Sequence, residues 1–242
     1  MHVWSDTDLL AAWERGQSHT PAQRALTLLA LACPETSLQT LEQWTLGRRD
    51  AELLTLRGRL FGPELRCRTD CPTCGERLEL TMPVDSLRAT GSTVAQELDL
   101  HHDGYEVRFR LPIALDVAQL RPDVDAPANR RWLVERCVLA AQHEGEVAAA
   151  DLPEAVVSAL GAQMAEADPQ ADIQLALKCP VCQLQWQEVF DIASFLWAEI
   201  QILARRLLHE VHELAAAYGW REAEILALSP SRRQAYLELI RS

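Results

Sequence analysis

The 242-residue sequence is short of positive charge: 23 Lys and Arg stand against 35 Asp and Glu, a net charge of −12. An acidic average field repels phosphate backbones and anionic lipid surfaces, so neither nucleic acid nor a membrane is an expected partner. The opening stretch, "MHVWSDTDLLAAWERG", lacks a basic region followed by an apolar core, and no uncharged apolar run approaches roughly 18 residues. A chain with neither an export signal nor a membrane span is expected in the cytoplasm. Also missing are a G-x-S-x-G elbow, a P-loop and a glycine-rich dinucleotide fingerprint. Without them there is no basis for predicting an enzyme or a small-molecule substrate. The seven cysteines are an odd number, which argues against a disulfide framework and for a reducing compartment.

What is present describes an α+β protein: antiparallel β-hairpins with a four-cysteine, zinc-ribbon-like site, flanked by N-terminal and C-terminal α-helices. With 48% hydrophobic residues the chain can bury a sizeable core. Residues 1–62 read as helices. Thr20 and Pro21 form a cap with proline at the first helical position, and Leu46 to Phe61 has helical spacing closed by Gly62 and Pro63. Residues 63–190 form an α+β region. "ELRCRT" and "ERLELTM" alternate as one hairpin, "TVAQELDL" and "YEVRFRL" flank Asp103-Gly104 as a second, and "ADIQLALK" and "LQWQEVF" make a third. A helical insertion over 113–167 is expected to run through "ANRRWLVERCVLAAQ" and then from Asp151 as a cap. Residues 191–242 return to helix, with Leu196, Ile200, Leu203, Leu207, Val211, Leu214 and Tyr218 in one stripe ending at Gly219. The three regions are expected to form one integrated unit.

Two hairpin tips carry Cys-x-x-Cys pairs: Cys71 and Cys74 in "CPTC", Cys179 and Cys182 in "CPVC". Two such pairs predict a tetrahedral four-thiolate site for one structural zinc ion, with no open position for catalysis. Closing a loop of about 100 residues costs on the order of 5 kcal/mol. Structural zinc contributes roughly 10–16 kcal/mol in small peptides, so the separation is no obstacle. Proline after the first cysteine stiffens the turn, and Gly75 supplies a left-handed position after the second ligand, where the other pair has Gln183. A redox dithiol, an iron–sulfur cluster and a site without metal are the alternatives, but redox pairs usually open a helix. Cys67, Cys33 and Cys137 read as buried or half-buried structural residues.

Other candidates are weaker. His209 and His212 in "HEVHE" are spaced i,i+3 rather than the i,i+4 of the zincin helix, with no third ligand evident. The histidines of "HHDG" sit at a turn. Arg48 and Arg49 in "GRRD" are expected to pair within the fold, with Asp50 near a helix start.

The combination of "LGRRDAELLTLR", "CPTCGERLEL", "ADIQLALKCPVC", "FDIASFLWAEI" and "LLHEVHELAAAYGWREAEILALSPSRRQAYLELI" resembles the family of tailed-bacteriophage baseplate hub and assembly proteins, which has relatives in phage-like contractile injection systems. The matched positions include Glu210, His212, Tyr218, Trp220, Glu222, Ile225, Leu226, Arg232, Arg233 and Tyr236. The resemblance implies a non-enzymatic structural or assembly factor whose partners are baseplate, hub or other tail-assembly proteins. It carries no catalytic residues. Glu210, His212, Trp220, Arg232, Arg233 and Tyr236 are the expected partner-binding set; the other reading of Trp220 and Tyr236 is that they fill the core. A zinc-ribbon regulatory or adaptor protein of the bacterial cytosol is the alternative function.

Overall fold

The computed structural model describes residues 4–89, 97–121 and 123–241. Four helices open the chain, and each starts on a side-chain cap. In α1 (Asp6–Gly16) and α2 (Pro21–Ala32) the caps Ser5 and Thr20 form reciprocal boxes with Asp8 and Gln23. Ser37 caps α3 (Leu38–Glu42), and Thr45 caps α4 (Leu46–Phe61), which ends at Gly62 with φ +89°. The α4 stripe of Leu53, Leu54 and Leu56 is buried against Leu28 and Leu29 of α2 and residues of the long helix α8 (Ile192–Tyr218). Asp191 caps α8, accepting from the amides of Ala193 and Ser194, and Gly219 closes it in the left-handed conformation.

Strands β1 (Glu64–Asp70) and β2 (Arg77–Pro83) pair as an antiparallel hairpin, as do β6 (Gln174–Lys178) and β7 (Gln185–Val189). Leu65, Val84, Ile173 and Phe190 bury the bases of both hairpins in the helical core. Buried Arg57 fixes this junction. Its guanidinium donates two hydrogen bonds to Glu199 of α8, at 2.8 and 2.9 Å, and others to the carbonyls of Gly62 and Glu64.

Between the hairpins lies a unit with its own apolar cluster. Strands β3 (Glu97–His102), β4 (Tyr105–Arg110) and β5 (Val138–Gln142) form an antiparallel sheet, joined by α5 (Ala114–Ala118) and α6 (Ala126–Cys137) and followed by α7 (Glu154–Ala167). Val107, Phe109, Val134, Val156 and Leu160 are buried there. Three expectations are corrected here. The helix expected to run through "VLAAQ" stops at Cys137, because Val138–Gln142 fills the open edge of β4. Asp151 does not cap α7; it ends a single 3₁₀ turn, and the helix starts after Pro153. The second expected hairpin is also more than a pair of strands, because β5 makes it a three-stranded sheet. Residues 93–96 of "TVAQELDL" lie outside the described residues.

The chain finishes with α9 (Glu222–Leu226) and α10 (Pro230–Arg241), the latter capped by Ser229 as its sequence predicts. Leu214, Ile225 and Leu237 bury a fourth, small apolar cluster between α8 and these helices.

Candidate metal centre

Alternation along β1–β2 and β6–β7 puts Leu78 and Leu177 inward and carries each cysteine pair to a hairpin tip. The two turns repeat each other bond for bond. The amide of Cys71 donates to the Glu76 carbonyl at 2.8 Å, and that of Gly75 to the Cys71 carbonyl at 2.9 Å. Cys179 donates to Leu184 at 2.9 Å and Gln183 to Cys179 at 3.1 Å. Proline after the first cysteine removes nothing these turns use: the amide that donates to Cys179 Sγ is that of Cys182, at 3.5 Å. Gly75 takes φ +71°, as expected, and Gln183 takes φ +62° in the equivalent place. The Gln183 side chain donates to the Pro180 carbonyl at 2.9 Å, which holds a conformation that glycine adopts more cheaply.

The tips meet. Cys71 Sγ lies 3.6 Å from Cys182 Sγ, Cys74 Sγ lies 3.5 Å from Cys179 Sγ, and all four sulfurs fall within 4.8 Å of one another. A disulfide needs about 2.05 Å, so these are four free thiols. Sulfurs placed about 2.3 Å from one tetrahedral ion are separated by roughly 3.8 Å, close to the 3.5 and 3.6 Å of the two nearest pairs. The first cysteine of each pair is buried and the second is exposed. Leu78, Leu184 and Trp186 pack around them in a small cluster apart from the main core.

Electrostatically the cluster calls for a cation. The amide of Cys74, followed by that of Thr73, draws the Cys71 thiol down to about 7 against its desolvation. At Cys74 the Glu76 amide favours the thiolate, but partial desolvation and the three neighbouring sulfurs outweigh it and push the thiol up to about 12. At Cys182 the Leu184 amide acts the same way and is also outweighed, by burial and by Cys71 and Cys179. Neighbouring thiolates oppose one another, and a cation held among the sulfurs would favour the ionised form of all four. The four residues can hold one metal ion, with no coordination position left for a substrate. They form the only group of three or more metal-ligating side chains that could hold a metal ion among the described residues. His209 faces Glu213 at 3.0 Å, and His101 and His102 face Glu106 and Asp103 on the surface.

The expected partner-binding residues are scattered in burial. His212 and Arg232 are exposed, whereas Glu210, Trp220 and Tyr236 are half-buried. Trp220 stacks on Tyr218 at 4.7 Å and meets Tyr236 edge-on at 4.9 Å, so both expected aromatics also pack the small C-terminal cluster. Arg233 is a correction. It is 2% exposed, bonded to Asp6 at 2.5 Å, Glu210 at 3.0 Å and the Leu228 carbonyl at 2.9 Å, so it is an internal tie. Arg48 and Arg49 are also engaged within the fold, over the Trp44 ring and with Asp50 respectively. Asp50 is buried against Arg49 rather than free at the helix start.

Fold and site together define a helical scaffold with antiparallel hairpins joined at a four-cysteine cluster able to hold a metal. Residues 1–197 match the model of the T4 bacteriophage base plate protein family. The chain belongs to that family. The match contains all four cysteines and ends within α8, so the "EVHELAAAYGWREAEILAL" and "RRQAYLEL" segments lie beyond it. No curated protein and no solved structure matches. No helix among the described residues is long and apolar enough to cross a membrane.

Proposed function

We propose that this protein is a non-enzymatic structural or assembly factor of a contractile-tail baseplate or hub, acting by protein–protein docking on a scaffold clamped by one structural zinc ion. The observation that carries the zinc reading is the paired sulfur geometry: two knuckles matched in their hydrogen bonds, with sulfur separations suited to a tetrahedral thiolate site. Zinc suits it because a closed, tetrahedral sulfur-only site matches its ligand and geometric preference and leaves no open position. The baseplate reading rests on family membership. Its partners are other baseplate, hub or tail-assembly proteins, met in the cytoplasm during assembly. Glu210, His212, Trp220, Arg232 and Tyr236 are the surface we assign to docking, with Arg233 holding that surface in place.

The test has two arms. Cells producing particles in which Cys179→Ser replaces the native chain should yield fewer complete baseplates, and the purified variant should carry little zinc. Normal particle yield without the chain altogether would refute the assembly role.

A further inference from the structure

The strongest unassigned feature is the outer face of α8. At 27 residues the helix is about 40 Å long. Leu196, Ile200, Ala204, Leu207 and Leu214 bury one side of it along its length, first against α1, α2 and α4 and then against α9 and α10. The opposite side presents Ala198, Ile202, Arg205, His209, His212 and Ala216, all exposed and spaced by three and four residues. Ile202 is 71% exposed.

Charge distinguishes this face from the rest of the molecule. Residues 198–242 hold six glutamates and six arginines, so the net charge of −12 belongs entirely to residues 1–197. On the face itself the balance is positive. Arg205 has no carboxylate partner among the described residues, and His212 has no ion-pair partner there. The flanking carboxylates are already engaged: Glu210 with Arg233 and Arg206, Glu213 with Arg241 and His209. Five of the nine large apolar side chains that stand exposed, Ile202, Leu208, Tyr218, Leu239 and Ile240, also fall in this segment. A face with an uncovered isoleucine beside an unpaired arginine is complementary to carboxylates set around an apolar side chain.

We infer that the outer face of α8, from Ile202 to His212, docks an acidic protein surface of a tail-assembly partner, with Ile202 as the apolar anchor and Arg205 and Arg206 as its charge partners. This deepens the docking role proposed above and rests on it. A second copy of the chain joined through the same face would set arginine against arginine, which excludes a symmetric pairing through this face.

The experiment uses the full chain in particle-producing cells, with a photo-crosslinking residue in place of Ala216. The expected result is a cross-link to one tail protein through a segment rich in Asp and Glu. Arg205→Glu combined with Arg206→Glu should lower its yield at least about tenfold. The melting temperature should fall only slightly: the one pair lost, Arg206 with Glu210 at 3.5 Å, is exposed on its arginine side, and Glu210 keeps its bond to Arg233. Changing two acidic residues of the captured segment to lysine should then restore the cross-link. Capture of a second copy or of a basic segment, or a yield indifferent to charge reversal, would overturn the inference. So would the absence of any cross-link while particles assemble and require the chain, a result that leaves the baseplate role standing.

Discussion

Replacing Arg233 by alanine distinguishes a structural tie from a docking residue. The guanidinium of Arg233 reaches Asp6 in the first turn of α1, Glu210 in α8 and the Leu228 carbonyl. Removing it leaves two carboxylates facing each other across a cavity and one carbonyl without its donor. Breaking a fully buried pair costs about 3–5 kcal/mol. The Asp6 and Glu210 side chains keep 27% and 16% exposure and can partly rehydrate, so we expect about 2–4 kcal/mol. The C-terminal cluster it supports buries only Leu214, Ile225 and Leu237, each contributing roughly 1.5–3 kcal/mol before ordering costs. The loss is therefore large against what holds α9 and α10 in place, and it should appear as local opening before global unfolding. Native-state hydrogen exchange is the assay: amides of α10 should lose protection while those of α4 keep theirs. Arg232→Ala, next to it but exposed, should change nothing in the same measurement. Unchanged α10 protection in Arg233→Ala would refute the assignment of Arg233 as an internal tie.

Three further outcomes follow from particular contacts. Gly47→Ala, normally favourable in a helix, should destabilise by about 1–3 kcal/mol in denaturant titration. An added Cβ would overlap the Asp168 carboxylate that accepts from the Gly47 amide at 2.8 Å. Asp116 is fully buried, and although desolvation pushes its carboxyl up, hydrogen bonds from Arg110, the Ile113 amide and Arg136 hold it below the usual carboxylate range. Its contribution is present above the unfolded value of about 3.9 and is lost as pH falls through the lower folded value. Asp116→Asn should thus cost about 2–3 kcal/mol at neutral pH, converging on the native protein in strong acid, as followed by thermal melts across pH. Gln183→Gly should raise the melting temperature of the metal-loaded protein slightly, gaining up to about 1 kcal/mol by relieving a left-handed φ.

The parts of the fold legible in the sequence are those whose signal is local. Thr20 with Pro21, Ser229 with Pro230, and Gly62 and Gly219 mark helix ends by backbone chemistry that neighbours do not alter. The hairpin tips were readable because cysteine spacing and strand alternation coincide there. Val138–Gln142 was not, because "VLAAQ" extends a helical pattern without Gly or Pro, and the vacant edge of β4 decides its conformation. Arg233 was unreadable for the same reason. An Arg-Arg pair on a polar helix looks solvent-facing, and only the tertiary fold brings Asp6, more than two hundred residues away in sequence, against it. Proximity of the sulfurs was legible in outline, but not the bond-for-bond repetition of the two turns, since Gln183 lacks the glycine that usually signals it.

The most direct test is the metal content of protein purified without chelator, measured by mass spectrometry together with the absorption spectrum of a cobalt-substituted sample. A structural four-thiolate site requires one zinc per chain and tetrahedral thiolate cobalt bands, both lost in Cys179→Ser. Much less than one equivalent of metal, or content and melting unchanged in that variant, would contradict the proposed clamp.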